Sequence, residues 1–365
     1  MNGAALLAAL SAAALASASQ PTFPGPCGLA YRTLTARSDV PQSSIDLMAC
    51  ISMNPGGKPE IHEFARNGYT GIDDYLRCAT KFASHVSERI RTSGAAIVIL
   101  GDDATLPLPV LRKLMRLRVP LLSHALRGAE KVGHAVFMPD LHFIDSDGFA
   151  VIRDRLTRHP VPFGDKLPVV FWRGSTTGGP RREFCGEAQP CSDCLSLARV
   201  QLALRSLNVS WLDADITNAV QSCESSQAQS TLTTMGLLSH HIPSEHWHQH
   251  RGVLDVDGNT NAWGHLWRML TGSVVFKVDS DYFSAYNHVQ KPWIHYVPVL
   301  RDLANLELVA SLVASDKAAV VDMLRGIADN AMQLGLQFTY ENEVIRVASE
   351  LDAEWREGRG QNVGL

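Results

Sequence analysis

The sequence predicts an α/β protein of two domains facing a cleft. Three observations carry that reading. Short apolar runs alternate with amphipathic segments along most of the chain, a Pro/Gly-rich stretch (HPVPFGDKLP, 159–168) separates two such series, and 365 residues suit two domains that each bury a core. Hydrophobic residues at 45% and charged residues at 19% are those of an ordinary globular chain. Lys+Arg 33 against Asp+Glu 37, a net charge of −4, excludes a global electrostatic pull toward nucleic acid or anionic lipid.

Taken in order, residues 1–20 hold no charged side chain, and the apolar run Ala4–Leu15 is followed by small residues at Ala16–Ser19. The pattern reads as a signal peptide lacking its basic leader, or as an Ala-rich disordered tail. Beyond it no uninterrupted apolar run reaches the roughly 18 residues of a membrane span. Ile72–Arg91 and Val110–Leu117 space apolar residues by three and four, as helices do, while Ala95–Leu100, Pro120–Leu122 and Val136–Met138 read as buried strands. In the second half Val169–Trp172, Val209–Leu212, Val253–Val256, Val274–Val278 and His295–Val299 read as strands. Leu195–Leu207, Trp263–Leu270 and Lys317–Leu334 read as helices. Strands separated by helices imply parallel sheets, with ligands at the C-terminal strand ends.

Seven cysteines stand at 27, 50, 78, 185, 191, 194 and 223. In an oxidising compartment they allow three bridges and one spare thiol, with the pairing open. Cys191-x-x-Cys194 has no second ligand pair of proper spacing nearby, so a local disulfide or inert thiols are expected before zinc. The tract HHIPSEHWHQH at 240–250 looks like a metal site. Ser244 and Glu245 nevertheless suit a helix start, and a solvated His-rich helix is the plainer reading.

Three segments carry chemistry. In PVVFWRGSTTGGPRRE (168–183) an apolar strand runs into Arg173-Gly174-Ser175-Thr176-Thr177, with Arg181 and Arg182 close behind. Glycines let the backbone approach a ligand, hydroxyls and amides donate, and arginine offers a fork to phosphate oxygens. No Lys follows the glycines, so the segment is not a P-loop. In VLDVDGNTNAWGHLWRMLTGSVVFKV (253–278) a strand ends at Asp257-Gly258-Asn259-Thr260-Asn261, followed by a helix with Trp263, Trp267 and Arg268, then Gly272 and another strand. That order puts amide donors at a helix start, where anions bind, with Trp267 read as core. KPWIHYVPVLRDL (291–303) is a proline-bracketed strand leading to a helix start at Asp302.

WRGSTTGG, DVDGNTNAW, LTGS and KPWIHYVPV, in this order and spacing, resemble glycosyltransferase family 90, the family of the protein O-glucosyltransferases and the fungal capsule-associated xylosyltransferases. The resemblance implies a GT-B fold of two Rossmann-like domains, a UDP-sugar donor, inversion at the anomeric carbon and no metal or other cofactor. It divides the chain into an acceptor-side domain at 21–160, a UDP-sugar-binding domain at 161–335, and a C-terminal helix and tail at 336–365 returning to the first domain. By similarity Arg173, Gly174, Ser175, Thr176 and Thr177 cradle the donor, with Arg181 or Arg182 near the diphosphate. Asp257, Gly258, Asn259, Thr260, Asn261, Trp263 and Gly272 complete the pocket, with Arg268 and Lys277 weaker candidates. The expected partners are the donor and a protein or glycan acceptor, and the expected location is the secretory pathway, or the cytoplasm if residues 1–20 are not a signal. Asn208-Val-Ser210 is then a glycosylation sequon.

The family's base is an Asp that follows a Pro-Asp step and a short apolar strand. MPDLHFIDSDGFAV (138–151) supplies Pro139-Asp140 and then Asp145 and Asp147, but it lacks the proline that follows the base in the family, and Gly148 competes with them for the base position. Asp147 is the first candidate, Asp145 the second, and Asp140 and His142 rank below them. Two rival readings are a metal-dependent transferase using Asp213-Ala-Asp215, Asp255-Val-Asp257 or Asp279-Ser-Asp281, and a sugar-nucleotide-binding relative without catalysis.

Overall fold

A computed structural model describes residues 25–36, 40–64, 72–100, 108–117, 119–127, 135–181 and 194–358, together with Phe23 and Phe184. The signal segment, Arg182, Cys185 and Cys191 lie outside the described residues. The first half is built on β1 (Met48–Met53), β2 (Glu60–Glu63), β3 (Gly94–Ile99), β4 (Leu121–Ser123), the short β5 (Leu126–Arg127) and β6 (Ala135–Phe137). Five of these form one sheet in the order β2-β1-β3-β4-β6. The apolar run that predicts β3 is buried from Ala95 to Ile99, as a central strand covered on both faces requires.

The expectation of parallel pairing holds for β3, β4 and β6 and fails at the other edge. There β1 runs antiparallel to both β2 and β3. Only the few residues Asn54–Pro59 join β1 to β2, too few for the crossover that a parallel pair needs, so a hairpin forms. Both strands went unread in the sequence. A Cys27–Cys50 disulfide ties the Gly25–Thr35 helix to β1.

The second sheet is wholly parallel, in the order β12-β10-β9-β7-β8. Its strands are β7 (Leu167–Ser175), β8 (Leu212–Asn218), β9 (His250–Asp255), β10 (Val274–Val278) and β12 (Val297–Val299). The strand expected at Val209–Leu212 starts where that stretch ends. Val209–Trp211 form a turn, and β8 instead uses the period-two alternation of buried Leu212, Ala214 and Ile216 with three polar residues. The chain leaves β7 for β8 on one side and returns to β9 on the other. Such a reversal opens a crevice at the C-terminal ends of β7 and β9, where α/β proteins bind ligands.

Cys194–Cys223 is a second disulfide, which removes Cys194 from any zinc site with Cys191, and Cys78 is a buried free thiol. The helix Tyr340–Arg356 returns to the first half. Val344, Val347, Leu351 and Trp355 join the cluster of Ile51, Phe82 and Val98, and Trp355 Nε1 donates to Ala95 O at 3.0 Å. The halves also meet through β11 (Tyr282–Phe283), which pairs antiparallel with β5. Among the described residues no helix is long and apolar enough to cross a membrane.

Candidate active site

Two loops border the crevice, Thr176–Arg181 after β7 and Val256–Asn261 after β9. They are stitched together by Arg199 on the Ala198–Ser206 helix. Its guanidinium donates to the carbonyls of Asp257 (2.9 Å), Ser175 (3.2 Å) and Val256 (3.2 Å) and to Thr177 Oγ1 (2.7 Å). Gly178 N donates to Asn259 Oδ1 at 2.9 Å. The approach is close enough to require glycine. Gly178 has φ +120°, and a Cβ there would lie 3.1 Å from Gly258 O.

Two neighbouring cavities open between these loops. One of about 440 Å³ is lined by Thr177, Arg181, Arg199, Asp257, Gly258 and Asn259, and also by Arg127, Asp281, Tyr282 and Arg301. The other, of about 360 Å³, is lined by Arg173, Gly174, Ser175, Asn261, Trp263 and Arg268 and shares Thr177, Arg199, Gly258 and Asn259 with the first. Asn261 Oδ1 is buried without a hydrogen-bond partner, which leaves an acceptor for a ligand donor in this cavity.

Three of the residues expected in the pocket line neither cavity. Thr176 is buried, and its hydroxyl donates to Val220 O (2.8 Å) and accepts from Val220 N (2.7 Å). Thr260 is also buried, with its Oγ1 3.5 Å from His124 Nε2 of the first half. Gly272 sits in the turn entering β10, at the end of the sheet opposite the crevice.

The charges sort differently from their order in the sequence. Arg173 faces β8, where Asp213 (2.7 Å) and Asp215 (3.0 Å) pair with it. It also lies over the Phe171 ring at 4.6 Å. Burial raises the Asp215 pKa while Arg173 opposes that shift. Arg173 is therefore already balanced by two carboxylates, a consequence of β7–β8 pairing that places Arg173 beside Asp215. Arg268 is likewise committed, with Asp255 accepting at 2.6 Å, while His265 and Lys277 contact the other oxygen of that carboxylate at 2.9 and 3.3 Å. Burial alone would raise the Asp255 pKa. His265, Lys277 and Arg268 together outweigh it and hold the group well below the ordinary carboxylate range.

Among the described residues lining it, the 440 Å³ cavity has the opposite balance, with four arginines (127, 181, 199 and 301) against Asp257 and Asp281. Arg181 lies 3.9 Å from Asp257, whose pKa burial pushes up, and donates to Arg301 O at 3.0 Å. An excess of forked cations in a walled site favours a multiply charged anion. Arg127, Arg199, Arg301 and Tyr282 were missed in the sequence. Arg301 falls inside the third segment and Arg199 inside the Leu195–Leu207 helix, whereas Arg127 and Tyr282 stand in stretches without pattern. Of the Asp-x-Asp pairs, Asp213, Asp215, Asp255 and Asp281 are engaged by cations. Among the described residues no group of three or more His, Cys, Asp or Glu gathers as a metal site. Trp247 of the His-rich tract is core, and only the short 3-10 turn Ser244–Gln249 forms there.

None of the candidate bases is among the residues that line the two cavities. Asp145 pairs with Arg77 at 2.7 Å and Asp147 with Lys81 at 2.8 Å, both on the Ile72–Ser87 helix. The hydrogen bond and charge of Arg77 hold the Asp145 carboxyl below its ordinary pKa. Positive φ values at Asp147, Gly148 and Phe149 turn this segment back on itself. Asp140 is buried and caps the Leu141–Asp145 helix, accepting from Phe143 N at 2.9 Å. His142 alone of the four meets a cavity wall, its ring centroid 4.4 Å from that of Trp263.

Two α/β units, each around a five-stranded sheet and meeting at a ligand-sized crevice, make a GT-B type fold. Residues 149–333 match glycosyl transferase family 90, and the chain belongs to that family. It is 28% identical over 141 residues to protein O-glucosyltransferase 2 of Danio rerio, covering 39% of this chain and 24% of that protein. It is 32% identical over 109 residues to protein O-glucosyltransferase 3 of Mus musculus, covering 30% of this chain and 20% of that protein. The chain thus spans about a quarter or less of these two relatives. Among solved structures, Anabaena HepE in complex with UDP-glucose aligns at 12% identity and TM-score 0.38, covering 68% of each chain. Sucrose-phosphate synthase from Thermosynechococcus elongatus aligns at 11% identity and TM-score 0.38, covering 71% of this chain and 64% of that one.

Proposed function

We propose that this protein transfers a hexose or pentose, glucose or xylose first, from a UDP-sugar to a hydroxyl of a protein or glycan. The observation that carries the reading is the 440 Å³ cavity at the sheet's switch point, walled by four arginines and the amide-rich Thr177–Gly179 loop. In an inverting displacement the acceptor oxygen attacks the anomeric carbon from the face opposite UDP. Negative charge then accumulates on the departing diphosphate. Fixed cations beside that position stabilise the transition state more than the ground state. With the arginines meeting this charge, the reaction needs no metal on the diphosphate.

The attacking hydroxyl must also lose a proton. The C-terminal ends of β4 and β6 lead to His124 and His142, which touch Thr260 and Trp263 across the cleft, and β3 runs parallel to both. We assign the base to this edge of the first sheet, beside the cavity wall, rather than to Asp145 and Asp147, which pair with the Ile72–Ser87 helix. The two disulfides support folding in an oxidising compartment, consistent with the secretory pathway.

The test is a thermal-shift screen of UDP-sugars followed by an assay of UDP release with protein and glycan acceptors in excess EDTA. A selective UDP-sugar should raise the melting temperature through its binding free energy, and release should persist without divalent metal. No shift with any UDP-sugar would overturn the donor. Binding without transfer would favour the non-catalytic relative, and release abolished by EDTA would favour the metal-dependent one.

A further inference from the structure

The 440 Å³ cavity draws one wall from the first half of the chain. β5 and β11 form a ladder in which Arg127 stands opposite Tyr282 and Leu126 opposite Phe283. Among the described residues it is the one strand pairing that joins the two halves. On its cavity side, the Asp281 carboxylate is shared by a cation from each half. Arg127 approaches one oxygen at 3.2 Å, and Arg301, just beyond β12, contacts the other. All three residues line the cavity. The Arg127 side chain is 60% exposed and able to swing, whereas that of Arg181, at 11%, is set in place.

A carboxylate held between two guanidinium groups is an anion site with an internal anion in it. A diphosphate carries more charge and more acceptor oxygens than a carboxylate, and its oxygens suit the same forks. We propose that Arg127 is the donor ligand supplied by the first half, and that Asp281 is its resting counter-ion, displaced when the diphosphate of a sugar nucleotide enters. Donor binding then holds the two halves together at the β5–β11 ladder. Arg301, and to a lesser extent Arg127, keep the Asp281 carboxyl below its ordinary pKa, so it competes as an anion at neutral pH. The inference rests on the UDP-sugar reading.

The two partners predict opposite signs, which a packing role would not. Arg127→Ala and Asp281→Asn both remove the same ion pair, so a merely structural pair would shift both variants the same way. UDP binding is measured by calorimetry and uridine binding by ligand-observed NMR, on the wild type and both variants, with melting curves to verify folding. Arg127→Ala should weaken UDP about tenfold or more and leave uridine unchanged, because only the diphosphate contact is lost. Asp281→Asn should tighten UDP about threefold or more by removing the competing charge. An Arg127→Ala protein that binds UDP like the wild type overturns the inference alone, and so does a loss of UDP affinity in both variants. A wild type without UDP affinity overturns the donor reading and the inference with it, and is recognised before any substitution is made.

Discussion

Arg173 and Arg181 lie on the same strand-loop segment and are almost equally buried, with side chains 9% and 11% exposed. Their surroundings differ. Arg173 sits 2.7 and 3.0 Å from two carboxylates of the neighbouring strand, whereas Arg181 lies 3.9 Å from Asp257, in a cavity whose described lining holds more arginines than aspartates. Burial alone therefore does not mark a ligand-binding cation. What matters is whether the protein has already balanced the charge. A balanced arginine contributes to the fold, and one in a region of excess positive charge can contribute to the reaction.

That contrast can be tested from its largest consequence downward. Arg181→Ala should lower kcat/KM for UDP-sugar transfer by about 10²–10³-fold while the protein stays folded, the size expected for losing one preorganised donor to a developing anion. An activity within a few-fold of wild type would break the assignment. Asp255→Asn removes the anion beneath Arg268, His265 and Lys277 and should cost about 3 kcal/mol at neutral pH, read by chemical denaturation. Because the folded Asp255 pKa lies below its unfolded value of about 4, its stabilisation is complete above that pH and is lost as pH falls toward the folded value. The gap between wild type and Asp255→Asn should accordingly narrow on acidification below about pH 4, and a constant gap would contradict the linkage.

Arg173→Ala is expected to act mainly on stability, by about 2 kcal/mol, because it leaves the half-buried Asp215 without its cation. The double variant Arg173→Ala with Asp215→Asn should recover part of that loss. If Arg173→Ala instead abolished UDP binding in a protein of unchanged stability, Arg173 would rejoin Arg181 as a donor ligand. Smallest of all, Asp147→Asn should leave turnover within about threefold, since Asp147 lines neither cavity and its exposed pair with Lys81 is worth little. A loss of about 10³-fold would restore Asp147 as the base.

The elements most accurately read from sequence were those with strong local patterns. The apolar run of β3 and the helical spacing of Ile72–Ser87 are properties of adjacent residues, and they appear close to where they were expected. β2 was missed because EIHE holds a single apolar residue and only the hairpin pairing makes it a strand, whereas β1 was missed although Leu47–Ile51 is an uninterrupted apolar run like that of β3. In the site, the WRGSTTGG and DVDGNTNAW loops were recognisable because glycine, hydroxyl and amide residues cluster within a few positions. The reading of Asp145 and Asp147 rests on the same kind of local cue. A carboxylate after a strand-like stretch looks available until the partner helix brings Arg77 and Lys81 against it.

By itself the sequence determined the α/β class, the two loops beside the crevice and the family resemblance, since all three depend on the order and spacing of neighbouring residues. The tertiary structure decided which cations serve the cavity. Arg127, Arg199 and Arg301 come from β5, a helix and a loop far apart in the chain, and meet only because β9 returns beside β7 and β11 pairs with β5. It also withdrew Arg173 and Arg268 into ion pairs. Hydrophobic periodicity is a local property, but electrostatic balance depends on distances in space, and those are set only when the chain has folded.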